Sequence, residues 1–173
     1  MKPLIVFELA NNHGGSVARG IEVIEAFARV AEPFHGAFSF GFKLQYRDLE
    51  SVSGYVHPSA PRDGYVKRFL DTRLSILEFD VLVKAIREKG FRAICTPFDE
   101  VSVVRVVADG FEFVKVASAS LGDWPLMEAV AKAGLPVIAS TGGANERLIE
   151  RVATFFKRRG MPLTLLHCTA EYP

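Results

Sequence analysis

The sequence predicts an α/β fold of the (β/α)8 TIM-barrel type, incomplete in this chain, with about six strands present. Three observations predict it. Six short apolar runs each end on a polar or ionisable residue: LIVFE at Glu8, AFSFGFK at Lys43, RAICT at Thr96, FEFVK at Lys115, PVIAS at Ser140 and LTLLH at His167. Stretches with helical periodicity follow the first five. The first turn, Ala10-Asn11-Asn12-His13-Gly14-Gly15, lacks the G-x-G-x-x-G fingerprint that often marks a doubly wound sheet.

The apolar runs are nearly continuous rather than alternating, as strands buried on both faces of a parallel sheet should be. Each intervening helix has a legible start. Ser16 precedes a stripe of Val17, Ile21, Ile24 and Ala28. Ser75 and Glu78 form an S-x-x-E capping box ahead of Phe79, Leu82, Val83 and Ile86. Asp99 caps a helix carrying Val103, Val104 and Val107, and Asp123 stands before Trp124-Pro125, with proline in the first turn. Asn145 caps the last helix, whose stripe is Leu148, Ile149, Val152, Phe155 and Phe156. Gly90, Gly110, Gly134 and Gly160 fall just after four of these helices, the usual place for a C-terminal glycine. The exception to short connections is Leu49 to Ser75, rich in Pro, Gly, Ser and charge. It reads as a lid-like excursion with one short helix near Tyr65–Leu70.

A chain of 173 residues fits a single domain, residues 1–173, and can bury a sizeable core. An eight-stranded barrel takes ~250 residues, so six strands leave it short of its last quarter, with two open strand edges. The net charge of +1 excludes the basic footprint of a nucleic-acid binder. No apolar stretch approaches the ~20 residues of a membrane span. Cys95 and Cys168 make no disulfide framework, so the expected compartment is the cytoplasm.

In a β/α barrel the C-terminal strand ends converge on one face, where active sites lie. Lys43 and Lys115 there can act as Schiff-base nucleophiles or anion clamps, and with hydroxyls from Thr96, Ser118 and Ser140 they favour a phosphate or carboxylate cradle. Glu8 stands in an otherwise apolar strand. It reads equally as half of an ion pair with Lys43 or as a catalytic carboxylate. His13 lies in the first βα loop within reach of the same mouth. His167 by position is a hydrogen-bonded core residue more often than a metal ligand, and Cys168 reads as a small buried thiol. His35 and His57 read as surface residues, and Trp124 as packing for a helix start.

Six collinear motifs carry a family resemblance. Glu8-Leu9-Ala10-Asn11-Asn12-His13-Gly14-Gly15 resembles the E-I-G-x-N-H-x-G opening of the N-acetylneuraminate (sialic acid) synthase family. Phe42-Lys43-Leu44-Gln45 resembles its K-F-Q strand, Thr96-Pro97-Phe98-Asp99 its T-P-F-D, and Lys115-Val116-Ala117-Ser118 its K-I-A-S. Ser140-Thr141-Gly142 matches S-T-G, and His167-Cys168-Thr169 with Tyr172-Pro173 matches H-C-T-x-x-Y-P. Arg68-Phe69, Thr72-Arg73-Leu74-Ser75 and Asp123-Trp124-Pro125 look closest to the spore-coat polysaccharide biosynthesis protein E-like branch.

The resemblance implies a cytoplasmic, dimeric barrel enzyme of polysaccharide biosynthesis. It would condense phosphoenolpyruvate with the open-chain aldehyde of an N-acylated hexosamine, giving a 2-keto acid and phosphate with help from a divalent metal, Mn²⁺ or Mg²⁺. It places Lys43, Thr96, Lys115, Ser118 and Ser140 on the phosphate and carboxylate, and makes His167 a metal ligand. Glu8, Asn12, His13 and Gln45 are placed on the sugar and its protons, with Tyr172 in the binding set. Ser120 stands where the family commonly has Asp or Glu, and Ala10 where it has glycine. The family's second metal histidine and its C-terminal antifreeze-like domain lie beyond Pro173. Two other readings stand beside this one: a non-catalytic truncated barrel acting as a binding or interaction fragment, and a Schiff-base pyruvate aldolase using Lys43 or Lys115.

Overall fold

The computed structural model describes residues 2–49 and 64–169, and of 64–66 only the backbone. The chain resolves into two compact units, Met1–Ala93 and Ile94–Pro173. In the first, β1 (Leu4–Glu8) leads to α1 (Val17–Ala31), a single 3₁₀ turn and β2 (Ser39–Tyr46). Then come α2 (Gly64–Asp71) and α3 (Ile76–Glu88). β3 (Arg92–Pro97) begins in this unit and carries the chain into the second. There α4 (Glu100–Ala108), β4 (Phe113–Val116), α5 (Trp124–Ala133), β5 (Val137–Ser140), α6 (Glu146–Arg158) and β6 (Leu163–Leu166) continue the β/α alternation.

The strands are parallel and neighbours follow chain order. In the first unit β1 pairs with β2 and sets Glu8 opposite Lys43. In the second, β3 pairs with β4, β4 with β5 and β5 with β6. Within neither unit does a strand cross back, as a doubly wound sheet requires at its switch point.

Helix starts follow the sequence. Ser16, Asp99, Asp123 and Asn145 each accept a backbone N–H with the side chain, and Ser75 and Glu78 complete the reciprocal capping box. Such a cap replaces one of the hydrogen bonds a helix N-terminus cannot make to itself. The predicted short helix is present as α2; the rest of the excursion, residues 50–63 with His57, lies outside the described residues.

The core of the first unit is aromatic. The Phe7 ring stands 4.6 Å from Phe27, 5.5 Å from Phe40 and 5.7 Å from Phe91, over a fully buried Phe42. Gly20 lets α1 approach α3, since a Cβ there would meet Leu82 Cδ2 at 2.7 Å. In the second unit all four residues of β5 are buried, as are Leu126, Met127 and Val130 of α5 and Val152 and Phe156 of α6. The apolar residues of the first and last strands are less protected: Ile5 and Val6 in β1, and Leu165 and Leu166 in β6, remain more than a third exposed. No helix among the described residues is long and apolar enough to cross a membrane.

Candidate functional site

Two groups of predicted site residues assemble, one in each unit. In the first, Glu8 closes β1, and its Oε1 accepts the Ala10 N–H at 2.9 Å. Its other carboxylate oxygen forms an ion pair with Lys43 Nζ. The Lys43 side chain is only 12% exposed against 41% for Glu8, so the lysine depends on the pair more than the glutamate does. Of the two readings of Glu8, the ion pair is therefore present. β2 does not end at Lys43 but runs on to Tyr46, because the alternation of half-buried Lys43 and Gln45 with buried Leu44 and Tyr46 keeps the strand favourable.

The turn after β1 is held by local contacts. Ala10 has φ +46°, a left-handed conformation that favours glycine. His13 is buried, its ring edge-on to Phe79 at 6.2 Å, and its Nδ1 accepts the Gly15 N–H at 3.1 Å. Burial lowers its pKa, against a smaller upward pull from Glu78. The neutral ring with Nδ1 as acceptor leaves Nε2–H as its donor. Asn12 is exposed and turns its carbonyl to the Arg19 Nε at 2.9 Å. It is Asn11, with Gln45 and His13, that lines the pocket beside the turn.

The second group gathers at the ends of β4 and β5. Lys115 is half-buried and its Nζ donates to the Val116 carbonyl at 2.8 Å. Ser118 opens a 3₁₀ turn after β4, and its Oγ accepts the Gly142 N–H at 3.1 Å, tying this turn to the loop after β5. Ser140 ends β5 and is buried, as are Thr96 in β3 and Ser120. Cys168 is half-exposed rather than buried, just beyond the end of β6, whose own residues are mostly exposed. The Ser140 hydroxyl, then the Thr141 and Gly142 N–H groups and the Lys115 charge, hold its thiol below the usual cysteine range, with burial opposing them. Donors that favour a thiolate at this spot favour an oxyanion there as well.

His167 follows directly on β6 and is exposed, where its position had suggested a core residue. Among the described residues no group of three His, Cys, Asp or Glu side chains could hold a metal ion. The described donor set thus does not by itself make a metal centre. Tyr172 lies outside the described residues. His35 is exposed and Trp124 packs at a helix start against Phe155 at 5.6 Å, both as expected. Arg47 and Arg73, which line the pocket beside His13, carried no role in the sequence reading. The signal for Arg47 was its period-two spacing from Lys43 and Gln45 along β2.

Comparison with known proteins places these groups in a family. The NeuB family model matches residues 44–173. The chain is 27% identical over 176 residues to an N,N'-diacetyllegionaminic acid synthase of Campylobacter jejuni, covering 99% of this chain and 53% of that protein. Among solved structures, one described as spore coat polysaccharide biosynthesis protein E from Chromobacterium violaceum is 46% identical with a TM-score of 0.92, covering 99% of this chain and 51% of the other. The N-acetylneuraminic acid (sialic acid) synthetase of Leptospira borgpetersenii, solved with citrate, is 28% identical with a TM-score of 0.85, covering 100% and 56%. The chain spans about half the length of the curated relatives it matches. The likeness shows the fold to be six parallel strands of an incomplete (β/α)8 barrel, as the strand runs predicted. On the family match and the shared fold together, this chain belongs to the NeuB family.

Proposed function

We propose that this chain supplies the N-terminal part of a sialic-acid-synthase-like enzyme, which joins phosphoenolpyruvate to the aldehyde of an N-acylated hexosamine. The reaction takes up one water, forms a 2-keto acid and releases phosphate. The observation that carries the reading is the group of donors at the ends of β4 and β5: Lys115, the Ser140 hydroxyl and the Thr141 and Gly142 N–H groups all act on one spot at Cys168, and the Gly142 N–H bond to Ser118 Oγ joins the two loops. A cationic side chain among fixed neutral donors suits a phosphate or carboxylate, because charge-assisted bonds in a set geometry hold the anion without reorganisation.

In the first unit, Glu8 and Lys43 form a carboxylate–ammonium pair, and Gln45, Asn11 and His13 offer amide and imidazole groups that match sugar hydroxyls. On this reading Glu8 would take or return a proton on the acceptor, with Lys43 tuning its charge. A divalent metal would polarise the aldehyde. His167 is the described residue the family pattern offers as one ligand, and no step is derived through it.

Schiff-base chemistry fits the lysines less well. Lys43 is engaged by Glu8, and Lys115 donates to a backbone carbonyl, so both nitrogens act as donors rather than free amines. Titrating the chain with phosphoenolpyruvate and following its phosphorus NMR signal tests the reading. Binding should weaken at least tenfold in Lys115→Met, and phosphate release with Mn²⁺ should require an N-acylhexosamine. Unchanged binding in that variant, or release indifferent to the sugar, would exclude it.

A further inference from the structure

Thr141 opens the loop after β5, and its bonds to the neighbouring strand have no part in the roles above. Its N–H and its Oγ1 both donate to the Leu166 carbonyl, at 3.1 and 3.0 Å. A carbonyl oxygen has two lone pairs, so Thr141 alone can fill both. The third donor there, Cys168 Sγ at 3.4 Å, is a weak one. Ser140 stands opposite Leu166 in the β5–β6 register, so the Thr141 bonds carry the ladder one step past the end of β5. β6 itself buries little, with Thr164, Leu165 and Leu166 exposed, so polar ties weigh more at this end than apolar packing.

From this anchor the chain turns sharply. The Ala144 N–H donates back to the Thr141 carbonyl at 3.0 Å, closing a turn over residues 141–144 with Gly143 at φ +72° in its third position. A type II turn needs that conformation there, and glycine meets it without strain. Gly142, in the second position, directs its N–H to Ser118 Oγ at 3.1 Å, on the 3₁₀ turn after β4. A hydroxyl has one proton to give and two lone pairs to receive. With the Gly142 N–H on one lone pair, the Ser118 O–H keeps its role as a donor and has its direction set. A donor of fixed direction at the ends of β4 and β5 suits an anion.

We propose that Thr141 is a positioning residue for the anion site at the ends of β4 and β5. Its paired bonds to Leu166 hold the turn in which the Gly142 N–H meets Ser118, and so aim the Ser118 hydroxyl at the bound phosphate or carboxylate. The Thr141 hydroxyl is engaged by Leu166 and acts through the turn rather than on the anion. That the anion is phosphoenolpyruvate rests on the function proposed above, whereas the chain of bonds from Leu166 to Ser118 stands on the geometry alone.

Thr141→Val keeps the shape and the N–H and removes the hydroxyl; Thr141→Ser keeps the hydroxyl. Phosphoenolpyruvate and inorganic phosphate, each titrated into the 173-residue chain and followed by phosphorus NMR, read the anion site. Hydrogen exchange of the Gly142 amide reads the turn. Thr141→Val should weaken anion binding about fivefold, as the loss of one hydrogen bond does, and should speed Gly142 exchange. Thr141→Ser should stay within about twofold of the parent chain in affinity, since its hydroxyl can make the same bond. A threonine that only stabilises the fold would lower the urea midpoint and leave the affinity of the folded chain unchanged, and that result overturns the proposal. A serine variant as impaired as the valine one overturns it too. In a Ser118→Ala background Thr141→Val should add less than about twofold, because the hydroxyl it aims is gone, and full additivity overturns the route through Ser118. Inorganic phosphate binding that depends on Thr141, without any binding of phosphoenolpyruvate, would remove the synthase reading and leave the positioning role. Binding of neither anion would overturn both.

Discussion

Replacing Glu8 by glutamine should destabilise the chain more than replacing Lys43 by methionine, although both remove the same ion pair. The asymmetry follows from burial. Lys43 keeps 12% of its side chain exposed and Glu8 41%, so once the pair is broken the ammonium regains little water and the carboxylate much. Exposed pairs contribute about 0–1 kcal/mol, whereas stripping the partner from a buried charge costs about 3–5 kcal/mol. The half-buried Lys43 lies between, so Glu8→Gln should cost about 2 kcal/mol by interpolation. The glutamine keeps an oxygen for the Ala10 N–H, so the loss of that bond does not enter. Lys43→Met leaves Glu8 hydrated and still bonded to Ala10, at a cost of about 0.5–1 kcal/mol. The double variant should cost little more than Lys43→Met alone, because the buried ammonium that made Glu8→Gln costly is gone. Urea unfolding followed by far-UV circular dichroism reads this as midpoint shifts at constant slope. A Lys43→Met penalty equal to or larger than that of Glu8→Gln would refute the reasoning.

Other perturbations have outcomes of known sign. Ala10→Gly relieves the left-handed backbone at φ +46° and should raise stability by about 0.5–1 kcal/mol, read as an upward shift in the thermal midpoint. His13 has a folded pKa lowered by burial, so below the ordinary value of 6.5 the unfolded chain takes up the proton first. Its contribution is therefore complete above pH 6.5 and is lost as the pH falls from there toward the lowered folded value. The urea midpoint should drop across that window, and His13→Gln should flatten the drop. Glu25 and Glu78, both lowered from 4.5 by hydrogen bonds to Lys89 and Ser75, lose their contributions only at more acid pH. Ser75→Ala removes the capping box of α3 and should cost about 1 kcal/mol, with faster amide exchange in the first turn of that helix.

The sequence alone determined the six strands, the helix starts, the short helix before Ser75 and the family motifs. These depend on local chemistry: apolar runs buried on both faces, and capping side chains that bond within three residues of themselves. It also brought Glu8 and Lys43 together as candidates, since adjacent parallel strands put their ends side by side. What it left open required knowing which side chains meet across strands and loops. Burial, not residue type, made Lys43 the dependent partner of Glu8 and kept His13 neutral. The tie from Gly142 to Ser118 joins residues 24 apart in the chain, which no periodicity encodes. The Arg47–Arg73 pocket likewise exists because a strand end, a loop and the turn before α3 fold onto one another. A carboxylate, an arginine or a histidine reads the same in any sequence until its desolvation and its partners are fixed, and only the tertiary structure fixes those.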